Sequence, residues 1–205
     1  DWSSDVCSSD LIHGTTVALL VGFVSMGIAA TIGIVVGALG GYFGGWIDAL
    51  TGRITEVVMC IPTLVLILAI MAIIEKPTIW HTMAIIGFTG WTGIARLTRG
   101  EFLRLKGAEY VTAARAAGAG PFRIMIRHIL PNALAPILVP VTFGIAAAIL
   151  VESGLSFLGF GAPPPSASWG SILNGARSNL AMWWLVVFPG AAIFLTVLAY
   201  NLVGE

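Results

Sequence analysis

LIHGTTVALLVGFVSMGIAATIGIVVGALGGYFGGWI, residues 11–47, contains no Asp, Glu, Lys or Arg. A hydrocarbon core about 30 Å thick is crossed by a helix of about 20 apolar residues. This run therefore supplies one membrane-crossing helix, with enough left over for a re-entrant or interfacial tail. Four more runs free of those charges follow, at 57–74, 77–95, 129–151 and 178–204, and each is long enough to cross once. The whole chain agrees: of 205 residues, 58% are hydrophobic and only 10% charged, with a mean hydropathy of +0.97. A soluble domain carries roughly a quarter charged residues, so a water-soluble monomer is excluded. Lipid offers no partner to an exposed backbone group, and none of the runs alternates in polarity as a membrane barrel strand must. The expectation is an all-α, polytopic transmembrane bundle of about five spans.

The net charge of zero hides an asymmetry, because seven of the ten Lys and Arg residues fall between Arg96 and Arg127. Short loops rich in Lys and Arg stay cytoplasmic. With five crossings this loop and Arg53 lie inside, while Lys76 and Arg177 lie outside. The chain would then begin outside and end inside, which implies a further helix upstream of this segment. The first ten residues, DWSSDVCSSD, are rich in Ser and Asp and lack apolar periodicity; residues 1–10 are read as lying outside the main domain, either an extracytoplasmic leader or a translated cloning artefact, and 11–205 as that domain. The Cys7 and Cys60 thiols have no metal-ligand spacing, and neither an acidic tail nor a nucleic-acid-binding pattern is present.

Within the first run Gly33, Gly37, Gly41 and Gly45 recur every fourth residue, a spacing that lets a neighbouring helix approach closely. Pro131, Pro136 and Pro140 fall in the fourth run. The last two predict kinks, serving either packing or a translocation path, and Pro131 marks the helix entrance. The stretch from Ser153 to Arg177 reads as a structured outer loop, stiffened by Pro163, Pro164 and Pro165, with Trp169 as an interfacial anchor. Glu56, Glu75 and Glu152 fall at span edges, where exposure or capping is expected.

Charge, helix signals and turn signals coincide only in GEFLRLKGAEYVTAARAAGAGPFRIMIRHILPNALAP, from Gly100 onward. A slim, Ala-rich helix is predicted at about 108–117, ending at Gly118 as a left-handed cap. A second helix starts at Pro121, with Phe122, Met125, Ile126 and Ile129 as its apolar stripe and Arg123 and Arg127 off it. It is expected to lie along the membrane face while the first projects into the cytosol. A projecting small-residue helix with a tight glycine turn suits a groove on another protein; taken alone, it is equally a linker.

Here the chain resembles the inner-membrane permeases of bacterial ATP-binding-cassette importers, in the branch serving dipeptides, oligopeptides and nickel. The family signature in this loop is Glu-Ala-Ala, three residues, Gly, nine residues, Ile, one residue, Leu-Pro. Thr112, Ala113, Ala114, Gly118, Leu130 and Pro131 stand at that spacing. Thr112 replaces the signature's acidic residue, with Glu109 one turn earlier and Tyr110 beside it, and His128 takes the Ile position. The likeness extends through GYFGGWID, GWTGIARLTRG and LSFLGFGAPPPSASWG, over roughly residues 11–205. It implies a type I importer permease in the bacterial inner membrane, of the second permease subunit type, that forms a pore with a second permease. Its cytoplasmic loop, at about 98–131, would dock two ATPase subunits, and an extracytoplasmic substrate-binding protein would deliver cargo. The resemblance places ATP and Mg on the ATPase partners, with no cofactor in this chain. Peptides are the favoured cargo, with nickel and other small solutes open.

Other classes fit less well. Lys76 and Lys106 lack the Gly before and the Ser or Thr after that a phosphate-binding loop requires, so the chain is not itself an ATPase. An ion-driven transporter would place a charged relay inside the spans, and the charge-free runs hold none. An intramembrane hydrolase would need G-x-S-x-G or H-E-x-x-H, and His13, His81 and His128 are scattered, with His81 read as interfacial and His128 as loop surface. A channel-like or structural membrane subunit is the remaining alternative.

Overall fold

In the computed structural model, which describes residues 2–75, 77–161, 167–177 and 182–204, helix α1 runs from Trp2 to Phe43 and forms the spine. After it come α2 (Gly45–Met59), α3 (Thr63–Ile73), α4 (Ile79–Lys106), α5 (Glu109–Ala116), α6 (Pro121–Ile124), a π-helical turn (Met125–Ile129), α7 (Leu130–Phe157), α8 (Trp169–Ala176) and α9 (Trp184–Gly204). No strand occurs among the described residues. Lys76 and the prolines at 163–165 lie outside them.

The most extensive interface joins α1 to α4, and the glycine stripe explains it. A Cβ placed on Gly33 would fall 2.8 Å from the Ile94 Cβ, on Gly37 2.7 Å from the Thr98 Cβ, and on Gly41 2.7 Å from the Phe102 Cβ. Real Cβ atoms do not come so close, so the backbones meet only because these residues have no side chain. The fit is reciprocal: a Cβ on Gly87 of α4 would fall 2.7 Å from the Ile28 Cβ, and Ser25 Oγ donates to the Met83 carbonyl at 3.0 Å. Gly45 does not extend the stripe. With Gly44 (φ +68°), it takes positive φ (+55°) in the turn into α2. α7 then packs on the earlier part of α1, where Gly22 lies beneath Ile145, and α9 flanks α7 with a largely exposed apolar surface.

Among the described residues three helices are long and apolar enough to cross a membrane: Ser9–Phe43, Pro121–Phe157 and Trp184–Gly204. The run at 57–74 does not form the single span expected. It is cut between Met59 and Thr63, and α2 and α3 are bent by 78° relative to each other. Pro62 has no N–H to continue a helix and disfavours α geometry in the residue before it. At 11 residues, α3 is about 16 Å long, half a hydrocarbon core. The run at 77–95 enters α4 at Ile79, and the 28 residues of that helix reach about 42 Å. His81, Thr82, Thr89 and Trp91 leave α4 less apolar than the three, and Thr78 caps its start together with His81, Oγ1 to Nδ1 at 2.7 Å.

Two residues lie elsewhere than expected. Glu152 is not at an exposed span edge but inside α7, 1% exposed, because the helix continues to Phe157 and α8 folds back over it. Trp169 is not an interfacial anchor; it is buried at the start of α8 and donates Nε1–H to the Leu11 carbonyl at 3.1 Å.

Candidate functional site

The loop between α4 and α7 is fastened at its base and bare at its tip. Arg104 in the last turn of α4 donates to Glu101 Oε2 at 2.6 Å, and this hydrogen bond holds its guanidinium above the ordinary arginine value. Lys106 sits over the Tyr42 ring, 5.6 Å from its centre, and Phe43 meets Phe122 edge to face at 6.3 Å. The loop is thereby tied to the end of α1.

From that base α5 projects. Its one fully buried residue, Val111, joins a cluster with Phe102, Leu105, Ile124, Met125 and Ile129. The predicted site residues divide by exposure. Glu109, Tyr110, Thr112, Ala113 and Gly118 lie on the exposed surface of α5 and its cap, and Ala114 is half-buried. Thr112 turns its hydroxyl back to the Ala108 carbonyl at 3.2 Å, so at the signature's acidic position this side chain is occupied within its own helix. Gly118 takes φ +82°. The Ala119 N–H reaches the Ala114 carbonyl at 3.1 Å and the Gly118 N–H the Arg115 carbonyl at 3.0 Å, the paired bonds of a Schellman cap. This closes the small-residue surface in a rigid turn.

The second loop helix differs from expectation. Instead of a separate helix along the membrane face, α6, the π-turn and α7 run as one helical rod of 37 residues, Pro121–Phe157. Pro131 is therefore not the helix entrance; it stands at the beginning of α7 within a continuing helix, with Leu130 half-buried beside it. A proline at that point removes a backbone donor and crowds the preceding turn. The adjoining π-turn widens the helix, and the Asn132 side-chain amide donates to the His128 carbonyl at 2.7 Å. The buried face differs from the predicted stripe. Ile124, Met125 and Ile129 are buried, whereas Phe122 (65%) and Ile126 (64%), two members of the predicted stripe, are exposed.

At the same end of the molecule an open cleft of about 520 Å³ lies between α1, α2 and α4. Arg99 reaches across it to grip Asp48 with both ends of its guanidinium, Nη2 to Oδ2 at 2.7 Å and Nε to Oδ1. This pair was not singled out from the sequence; the wide separation of Asp48 and Arg99 along the chain hides it.

A glycine-laced bundle with a long rod running into an exposed, capped loop defines the class: a polytopic helical membrane subunit. Residues 29–205 match the family described as binding-protein-dependent transport system inner membrane component, and the chain belongs to that family. It is 39% identical over 197 residues to a putative peptide permease protein of Brucella ovis, covering 95% of this chain and 65% of that one. To the dipeptide transport system permease protein DppC of Bacillus subtilis it is 38% identical over 195 residues, covering 94% and 61%. The chain thus spans less than two thirds of the length of these relatives, 65% and 61%. Among solved structures, an inward-facing methionine ABC transporter, MetNI, matches with a TM-score of 0.74 at 18% identity, covering 95% of this chain and 93% of that one. An amino acid ABC transporter solved with histidines matches at 0.72 and 18%, covering 100% and 95%. The fold is therefore that of type I importer permeases.

Proposed function

We propose that this chain is a permease subunit of an ATP-driven importer in the bacterial inner membrane, forming a pore with a second permease and docking cytoplasmic ATPase subunits through α5. The carrying observation is the exposed small-residue surface of α5, closed by Gly118 and connected through α6 and the π-turn to the 37-residue rod. A helix held by one buried valine is a poor structural element but a good insert for a groove. The rod converts a displacement of that insert into movement of the bundle. ATP and Mg would be held by the ATPase partners, and cargo would arrive from an extracytoplasmic binding protein. Dipeptides or oligopeptides are the proposed cargo, supported by relatives that are named peptide and dipeptide permeases.

The test is capture of the ATPase subunits by the full-length permease pair, comparing wild type, Gly118→Glu and a deletion of residues 112–118. A glutamate at φ +82° is strained, costing about 1–2 kcal/mol, and brings a charge to the docking surface. Capture by wild type and loss in both variants is expected. Equal capture by all three would overturn the docking role.

A further inference from the structure

Helix α2 hangs between two joints. Before it, Gly44 (φ +68°) and Gly45 (φ +55°) turn the chain in the left-handed region, and a Cβ on either would meet nothing within 4 Å. After it, the chain bends by 78° between Met59 and Thr63. The elements beyond both joints are fixed, since α1 is pressed on α4 through the glycine stripe and α3 buries Ile67 and Met71. α2 itself buries only Thr55, and Val58 near its end is half-buried against the core. Its larger apolar side chains, Trp46, Leu50, Ile54 and Val57, are exposed, while Asp48, Thr51 and Thr55 line the cleft between α1, α2 and α4. α2 therefore turns its polar side to the bundle, and apolar burial contributes little to holding it there.

An ion pair holds it instead. From α4, Arg99 donates to Asp48 through two nitrogens, Nη2 to Oδ2 at 2.7 Å and Nε to Oδ1. The other side-chain hydrogen bond between these helices runs from Arg96 Nη1 to the Met59 sulfur at 3.5 Å, and a thioether is a weak acceptor. A bidentate guanidinium–carboxylate pair fixes both distance and orientation. Water nonetheless reaches both partners, whose side chains are 43% and 21% exposed, and an ion pair so placed exchanges its partner for water at small cost. It is thus directional and releasable. The first joint also lies where the loop presses: Phe122 of α6 meets Phe43, the residue before Gly44, edge to face at 6.3 Å. A displacement of the loop is felt first at the turn into α2.

We propose that α2 is a hinged strap over the cleft, latched to α4 by the Asp48–Arg99 pair and able to swing about its two joints when that pair opens. The latch stands on the geometry of α1, α2 and α4; the claim that the swing is a step of transport rests on the function proposed above.

Cysteine labelling reads the latch. Ala95 is buried on the α4 wall of the cleft, and Ala148 is buried in α7 outside it. In the full-length permease pair, with its other cysteines replaced by serine, Ala95→Cys and Ala148→Cys are reacted separately with a hydrophilic maleimide in membranes opened to the reagent on both sides. Asp48→Ala is expected to speed labelling of Ala95→Cys about fivefold and to leave that of Ala148→Cys unchanged. Asp48→Glu keeps a carboxylate for Arg99 and is expected to label as wild type does. Unchanged labelling of Ala95→Cys, equal acceleration of Ala95→Cys and Ala148→Cys, or Asp48→Glu labelling as fast as Asp48→Ala would overturn the latch.

Pinning α2 reads the swing. A Cβ on Gly40 would lie 3.6 Å from the Thr51 Cβ, inside the separation of about 3.5–4.5 Å that a disulfide spans. Gly40→Cys with Thr51→Cys therefore ties α2 to α1 and leaves Asp48 and Arg99 in place. The disulfide is expected to form, to lower uptake at least about tenfold, and to give it back on reduction. Where the reduced protein is itself inactive, the rate of disulfide formation in the assembled transporter decides instead, with a difference of at least about threefold expected between samples with and without ATP. Uptake indifferent to the disulfide, or equal rates, would overturn the swing as a step of transport. Failure of the disulfide to form would overturn the placement of α2 on which the strap depends. Absence of ATPase capture by wild type would instead count against the proposed function and leave the labelling result to decide the latch.

Discussion

At the scale of single residues, glycine does two different jobs in this chain, and sequence spacing separates them only in part. Gly37 sits where a Cβ would press on Thr98, whereas Gly27 on the same helix has nothing within 4 Å of such an atom. Replacing Gly27 with Ala is expected to be neutral or to stabilise by up to about 1 kcal/mol, through helix propensity. The same change at Gly37 is expected to destabilise by about 1–3 kcal/mol, since added atoms in a full interface force the helices apart. Thermal unfolding of the purified protein in detergent checks both, and equal midpoints for the two variants would contradict the packing account. The spacing of Gly33, Gly37 and Gly41 made this stripe legible, as the Gly-then-Pro pattern did the cap at Gly118. Glu152 and Trp169 were misplaced for a common reason: their environment is built by α8, whose return onto α7 and α1 depends on contacts far apart in sequence. Local composition carries a residue's preference for an interface, not the presence of a helix folded over it.

At the scale of elements, the uncharged runs at 11–47, 129–151 and 178–204 each located a membrane-long helix, the last two despite internal prolines at 136, 140 and 189. Proline misled the reading at two other points. Pro62 divides a run that hydropathy joins, and Pro131 stands next to a π-turn inside a helix that its presence suggests should begin there. The π-turn adds a residue between Ile124 and Ile129, which are both buried. A stripe counted at 3.6 residues per turn cannot anticipate it. Deleting Ile126 should convert the π-turn to α-helix and leave the buried positions on either side in register. Deleting Ala146, in the regular part of α7, should rotate everything beyond it by about 100°. The expected outcome is a folded protein within a few degrees of wild type in unfolding midpoint for the first deletion, and no folded protein for the second. Purification yield and thermal unfolding in detergent read the difference. Comparable damage from both would show that the π-turn holds no removable residue.

At the scale of the whole molecule, α1 and α4 form a rigid pair, and a rod from Pro121 to Phe157 runs alongside it from the loop to α8. About 55 Å of helix separates the two ends of that rod. Its length suits it to carry a displacement from a docked partner to the opposite face of the bundle. The membrane fold was legible from composition alone, and the loop from its charge and turn residues. The continuity of rod and loop was not, because Pro131 reads locally as a boundary. The measurement closest to the central claim places a photocrosslinking residue at Ala113 or Ala116, on the exposed surface of α5, or at Phe194, which is 64% exposed on α9. It is carried out in membranes holding the full-length permease pair and its ATPase subunits. Adducts with the ATPase from positions 113 and 116, and none from 194, are the predicted result. A loop that yields no ATPase adduct at either position would contradict the account.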